Sequence, residues 1–139
     1  MKRREHISAI MTRDVLTIDV NQSLHEVNEI LAKNHIRHLP VVSGEELVGI
    51  ISQTDILRIS FGNTFGAGQE DADEAIFDML SINQVMKHEP MIIGQNQTIR
   101  EAAQIFTEQE FHALPVLDGD KIVGIVTTTD IIKYFLEAY

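Results

Sequence analysis

The chain has 139 residues, 44% of them hydrophobic, with 11 lysines and arginines against 21 aspartates and glutamates, for a formal net charge of -10. That size suits one domain with a real apolar core, while the acidic balance excludes general nucleic-acid binding or adhesion to an anionic membrane, which both need a cationic footprint. With no cysteine there is no disulfide frame, thiolate nucleophile or Cys-ligated metal centre, and no run approaches the roughly 20 apolar residues of a membrane span, so the expected location is the cytoplasm.

The basic start Met1-Lys2-Arg3-Arg4-Glu5-His6 is not followed by the apolar stretch of a signal peptide. Residues 15–18 read as a short apolar strand. Ser23-Leu24-His25-Glu26 is a capping box opening a helix whose apolar stripe is Leu24, Val27, Ile30 and Leu31. Two β-rich runs follow, 39–42 and 47–51, joined through Ser43-Gly44-Glu45-Glu46. Their continuous apolar character predicts strands buried on both faces. In Ser52-Gln53-Thr54-Asp55 a hydroxyl stands three residues before a carboxylate, ahead of Ile56-Leu57, which marks a second helix start. Asp55 is thereby placed in the first turn of a helix at the end of a central strand.

Residues 61–68 carry the glycines Gly62, Gly66 and Gly68 and read as a flexible connection. Residues 70–78 carry five carboxylates and no base, which predicts a short solvated helix through Ala75, Ile76, Met79 and Leu80. Glu70, Asp71, Asp73 and Glu74 have the chemistry of a hard-cation site, although a solvated acidic face is the plainer reading.

From residue 82 the pattern returns. Residues 7–59 recur without a gap as residues 82–134, Met11 falling on Met86, Leu39-Pro40-Val41 on Leu114-Pro115-Val116, Val48-Gly49-Ile50 on Val123-Gly124-Ile125, and Thr54-Asp55-Ile56 on Thr129-Asp130-Ile131. The second capping box is Thr98-Ile99-Arg100-Glu101, with the stripe Ile99, Ala102, Ala103 and Phe106. The second hairpin joins 114–117 and 122–126 around Asp118-Gly119, and Thr127-Thr128-Thr129-Asp130 starts the last helix. The expected organisation is an α/β (α+β) chain with repeat 1 over 7–59, a connector over 60–81 and repeat 2 over 82–139. Two copies make no long solenoid, so they are expected to bury apolar faces against each other in a pseudo-twofold module with a central groove.

Two entries of the type Ile-x-x-Ile/Val-Met, each followed by a helix, Leu-Pro-Val, a glycine hairpin, Val-Gly-Ile and Ser/Thr-x-Thr-Asp-Ile, resemble the cystathionine-beta-synthase (CBS) domain, present in tandem as a stand-alone Bateman module. The resemblance covers all but the first residues and the connector. It implies β-α-β-β-α units and adenosine-containing ligands in clefts between repeats. On the matching positions, Asp55 and Asp130 correspond to the carboxylate that receives the ribose 2′- and 3′-hydroxyls, for which two acceptor oxygens suit a cis-diol. Ser52, Thr54, Thr127 and Thr129 correspond to the hydroxyls near ribose or phosphate. Arg37 and His38, and His112 and Ala113, stand where the family reaches phosphate, and Pro40 and Pro115 just after them belong to the same ligand-binding set. The first copy can also place Arg58 near such an anion, and the second Lys133. Thr17-Ile18 and Ile92-Ile93 match the segment lining the base pocket. Helix capping, surface charge and plain core are the alternative readings of these same groups.

The function this implies is a regulatory adenine-nucleotide module (AMP, ADP or ATP) that senses energy state and acts on an effector protein. An S-adenosylmethionine-binding module and a ligand-free dimerisation scaffold are the alternatives. No cofactor is expected beyond the regulatory ligand. His35-x-x-His38 straddles a helix end and a strand start, which spoils its spacing for a metal, and no nucleophile elbow, P-loop or HExxH spacing points to an enzyme. Family members pair through helices, and Ile131, Ile132, Phe135 and Leu136, widened by Tyr134 and Tyr139, together with residues 56–59, suggest a homodimer.

Overall fold

The computed structural model describes residues 5–60 and 69–138. In chain order the elements are a 3-10 turn (Ile7–Ala9), β1 (Ile18–Asp19), α1 (Leu24–Asn34), β2 (His38–Ser43), β3 (Glu46–Ser52), α2 (Gln53–Ile59), α3 (Gln69–Met79), α4 (Ile82–Val85), β4 (Lys87–His88), β5 (Ile93–Gly94), α5 (Ile99–Glu108), β6 (Ala113–Asp118), β7 (Lys121–Thr127) and α6 (Thr128–Ala138). This is a mixed α/β chain in which β-α-β-β-α occurs twice. Segment 61–68, Tyr139 and the side chains of Glu70, Asp71 and Asp73 lie outside the described residues.

One compact unit is Leu16–Glu89. Its sheet runs β1-β2-β3-β4. β1 lies parallel to β2, with Ile18 against Val41, and β2 and β3 form an antiparallel hairpin. Gly44 takes φ +64° at the tip, a conformation that costs glycine little and other residues more. Register slips between Val41 and Val42, which face Gly49 and Leu47 and leave Val48 as the extra residue of a β-bulge. Ser23 accepts the Glu26 N–H at 3.1 Å, and Glu26 answers to the Ser23 N–H, so the capping box stands as the sequence predicts. Its helix buries Leu24, Val27 and Leu31 against Ile18, Leu39, Val41 and Ile51, with Ile30 at the margin.

The other unit joins Met1–Val15 to Pro90–Tyr139. Its sheet, β5-β6-β7, repeats the parallel pair and the hairpin, with Gly119 at φ +62° and Val123 as the bulged residue. Ile99 and Ala102 of α5 are buried, while Ala103 and Phe106 pack at the edge and Phe106 meets Phe111 edge-on at 6.3 Å.

These units are offset from the sequence repeats. Ile7 and Met11, which open repeat 1, are buried in the core built by Ile93, Leu114, Val116 and Val126. Ile82 and Met86, which open repeat 2, are buried with Leu39, Val41 and Ile51. Each leading segment therefore completes the core of the other repeat's strands. Main-chain bonds hold the first of them: Ile7 N–H donates to the Gln97 carbonyl at 2.8 Å, Ser8 N–H to Gln95 at 3.1 Å, and Thr12 exchanges both bonds with Ile125. The second continues into β4, which pairs with β3 through Gly49–His88 and Ile50–Lys87. A Cβ on Gly49 would lie 2.4 Å from Met86 Sδ and 2.8 Å from the Lys87 carbonyl, and one on Gly124 would lie 2.7 Å from Met11 Sδ and 2.8 Å from the Thr12 carbonyl. The Val-Gly-Ile signature is thus the place where a neighbouring backbone comes too close for a side chain.

Two expectations need correction. The strand expected over 15–18 pairs only as Ile18–Asp19, because β2 meets it at Val41 and Val42 alone, and Leu16 is left exposed. The connector helix is not simply solvated. Ala75 and Met79 do face water, but Phe77 is buried and Ile76 and Leu80 pack beside it. His25 stands edge-on to Phe77, with ring centroids 5.4 Å apart, and its Nε2 lies 2.7 Å from Asp78 Oδ1. One aromatic among carboxylates is enough to dock this helix on α1.

Truncating Ile7 to alanine is expected to cost about 2–5 kcal/mol, as for a buried aliphatic in a packed core. Amide exchange should show the loss of protection in β6 and β7, and loss confined to residues 16–59 would contradict the exchange of segments. Gly49→Ala is expected to cost about 1–3 kcal/mol through overpacking, measured by denaturant midpoint.

Acid should act through the glutamates of the capping boxes of α1 and α5. Glu26 is held below the usual carboxylate value, first by the Gln22 amide and then by Ser23; Glu101 is held down likewise by Gln97 and Thr98. A depressed carboxylate contributes stability that is complete above the unfolded value of 4.5 and is lost as pH falls through the folded one. Glu26→Gln and Glu101→Gln are therefore expected to flatten the fall in melting temperature below pH 4.5, and parallel acid limbs for the variants and the parent would contradict it.

Candidate ligand-binding site

Where β3 ends and α2 begins, several of the singled-out residues meet. His38 is the cross-strand partner of Ser52, and the Gln53 N–H donates to the Arg37 carbonyl at 2.8 Å, so the start of β2 is tied to the start of α2. Ser52 caps α2. Its Oγ accepts the Asp55 N–H at 3.1 Å, while Asp55 Oδ2 accepts the Ser52 N–H at 2.9 Å and the Ser52 hydroxyl at 3.0 Å. The other oxygen, Oδ1, accepts from Arg58 Nη1 at 3.2 Å. Asp55 is 3% exposed, the one buried polar or charged residue among those described.

The second unit repeats the arrangement with one difference. Ala113 faces Thr127 across the hairpin, and the Thr128 N–H donates to the His112 carbonyl at 3.0 Å. Asp130 Oδ2 accepts from the Thr127 N–H at 2.8 Å and hydroxyl at 3.0 Å, and the Asp130 N–H returns to Thr127 Oγ1 at 3.2 Å. Asp130 is only half-buried. Lys133 stands where the first unit has Arg58, and among the described residues no ion pair joins it to Asp130.

The capping alternative is therefore realised at both carboxylates, and it leaves room for more. Each Oδ2 spends its lone pairs on the cap, while Oδ1 has lone pairs left: one at Asp55 beside the arginine, both at Asp130. Arg37, Thr54, His112 and Thr129 reach solvent at least in part. Ile18 and Ile93 belong to the two cores, and Pro40, Ala113 and Pro115 are buried too, so these residues are walls rather than polar contacts. Thr17 is half-buried, whereas Ile92 is exposed.

Sequence reasoning passed over Leu16 and Met91, large apolar residues 43% and 46% exposed just ahead of β1 and β5. They occupy equivalent positions in the two repeats, and that coincidence was the available signal. For the suggested cation cluster, Glu74 is exposed, and among the described residues no group of three or more His, Asp or Glu could hold a metal ion. No helix of the described residues is long and apolar enough to cross a membrane.

The cap also sets a test. Asp55→Ala removes acceptors for three donors and is expected to cost about 0.5–2 kcal/mol without ligand. Asp130→Ala should cost less, since Asp130 carries two of those three donor bonds and is partly solvated. Equal losses in thermal denaturation would show that the Arg58 contact contributes nothing.

A family model of the CBS domain matches residues 7–62 and again 82–137. The protein MJ1225 of Methanocaldococcus jannaschii is 30% identical over 132 residues, which cover 94% of this chain and 47% of that one. Its crystal structure matches with a TM-score of 0.81 over 97% of this chain and 49% of that chain. The CBS domain pair of protein MJ0100, solved in complex with 5′-methylthioadenosine and S-adenosyl-L-methionine, is 25% identical with a TM-score of 0.79, covering 96% of this chain and 98% of that chain. CBSX2 in complex with AMP shares the fold at 21% identity and a TM-score of 0.78, over 96% and 98% of the two chains. The chain spans under half the length of the first curated relatives it matches, 47% of MJ1225 and 24% of the inosine-5′-monophosphate dehydrogenase of Korarchaeum cryptofilum.

Proposed function

The chain belongs to the CBS domain family, and we propose that within it this chain is a regulatory module binding an adenine nucleotide, AMP, ADP or ATP, at the Asp55 and Asp130 constellations. The observation that carries the reading is the pair of capping carboxylates, each with at least one lone pair left on Oδ1, and each at a helix start that the backbone ties to a basic position where the neighbouring strand enters: Arg37-His38 in one unit and His112 in the other. A carboxylate oxygen with free lone pairs accepts a ribose hydroxyl, and a cis-diol presents two at once. The exposed Thr54 and Thr129 and the basic residues then meet phosphate, and the exposed Leu16, Met91 and Ile92 offer apolar surface to the base. A chain of net charge -10 needs such local positive groups to hold an anion.

The family supports the adenosine class, since MJ0100 binds two adenosine compounds in its CBS pair. That complex also favours the second reading, an S-adenosylmethionine module, which would make less use of Arg37 and His112. The match to the inosine-5′-monophosphate dehydrogenase covers only 24% of that protein, so its catalytic name is not carried to this chain. Occupancy acts on a partner only where the nucleotide binds one conformation of the chain more tightly than another. Ile132, Phe135 and Leu136 lie exposed on α6, and we assign them to contact with a second copy of the chain.

Calorimetry on ligand-stripped protein tests the function. Asp130→Ala is expected to weaken its site about 10- to 150-fold, the worth of a hydrogen bond to a charged group, and ATP should bind more tightly than 2′-deoxy-ATP. Capping alone predicts no difference between the two nucleotides. Failure of AMP, ADP, ATP and S-adenosylmethionine to bind at millimolar concentration would leave the scaffold reading in place.

A further inference from the structure

The two carboxylates differ in one contact. Asp55 Oδ1 is held by Arg58 at 3.2 Å, whereas Asp130 has a lysine, Lys133, at the equivalent position of its helix and no ion pair joins the two among the described residues. Within the Arg58 pair the two ends live in different media, the arginine side chain being 65% exposed and the aspartate side chain 3%. Arg58 therefore reaches in from solvent to a buried carboxylate, and its own stem is free to swing out. A guanidinium is an unlike neighbour to an ammonium here. Its planar fork pairs with carboxylate or phosphate oxygens and gives up hydration water easily, while the lysine ammonium keeps its water.

A nucleoside brings the two hydroxyls of its ribose diol to Asp55, finds one lone pair of Oδ1 open, and has to displace Arg58 for the second. If it brings no negative charge, the guanidinium loses a carboxylate and gains nothing in exchange. If it carries a 5′-phosphate, the displaced guanidinium finds a new anionic partner, because a 5′-phosphate lies within an arginine's reach of its own ribose diol. We infer that Arg58 is a specificity-determining residue, a counter-ion gate on Asp55 that admits 5′-phosphorylated nucleosides and disfavours uncharged ones, while the Asp130 constellation, lacking that arginine, admits both. The inference rests on the nucleotide reading of these sites and adds to it a division of labour between them.

The test compares AMP with 5′-methylthioadenosine, which keeps adenine and the ribose diol and lacks phosphate, by calorimetry on the whole chain. In an Asp130→Ala background, binding reports the Asp55 site alone. There Arg58→Met is expected to tighten 5′-methylthioadenosine by about fivefold, the upper worth of a pair that solvent screens at its arginine end, and to weaken AMP, so that the preference for AMP falls by about tenfold or more. Lys133→Arg in the unaltered chain serves as the reverse experiment, and stands in if the Asp130→Ala background fails to fold. It should create at the second site the AMP preference that the first site has. Equal effects of Arg58→Met on both compounds, or no change of preference from Lys133→Arg, would overturn the gate while leaving nucleotide binding intact. If the parent protein binds neither compound, the nucleotide reading fails before Arg58 is tested and the gate falls with it.

Discussion

The contact on which the rest of the structure depends is the approach of a methionine and its following backbone to a strand glycine. Met86 and Lys87 lie over Gly49, and Met11 and Thr12 over Gly124, at distances that no β-carbon would allow. Because the glycines open that space, β4 can pair along β3 and Thr12 can bridge Ile125. Ile82 and Ile7 then sink fully into cores that belong to the other repeat's strands. Burying one isoleucine contributes roughly 1.5–3 kcal/mol, a sizeable fraction of the roughly 5–15 kcal/mol by which a domain is stable. The neighbouring bulges at Val48 and Val123 fit the same purpose, since an extra residue bends the strand where the crossing backbone arrives.

A second constraint ties structure to function at the helix starts. The serine or threonine that ends β3 or β7 and the aspartate three residues later satisfy each other's backbone donors. Capping fixes the position of the carboxylate, and a fixed position is what the proposed ribose contact would require. The group is thus held in place whether or not a ligand is present, with no rotamer freedom left to lose on binding. One carboxyl oxygen does the structural task and the other remains for chemistry.

Much of this was legible in the sequence, for identifiable reasons. Both long capping boxes, both hairpins and both Ser/Thr-Asp helix starts were readable because each is a local signal, confined to four residues with a fixed hydrogen-bond pattern. The apolar runs 39–42 and 114–117 read as buried strands and are buried almost throughout. Long-range matters were harder. Nothing in the spacing of Ile7 and Met11 says which core they enter, since the two cores are chemically alike. Phe77 was hidden by the acidic residues around it, although its ring decides the packing of α3. At the site, the carboxylates were found by repetition, whereas the contrast between Arg58 and Lys133 became meaningful only with the distances to Oδ1.

The exchange of leading segments also orders events during synthesis. Residues 7–12 leave the ribosome well before the groups that complete their hydrogen bonds, Gln95, Gln97 and Ile125, which follow some ninety or more positions later. At a synthesis rate of about 5–20 residues per second, that gap lasts several seconds. Throughout it Ile7 and Met11 are apolar and unhoused, while the strands and helices of Leu16–Glu89 have all they need to close once Met86 has emerged. The middle of the chain is thus able to fold first, and the two ends close last and together, so the second core is assembled around a segment that has waited longest.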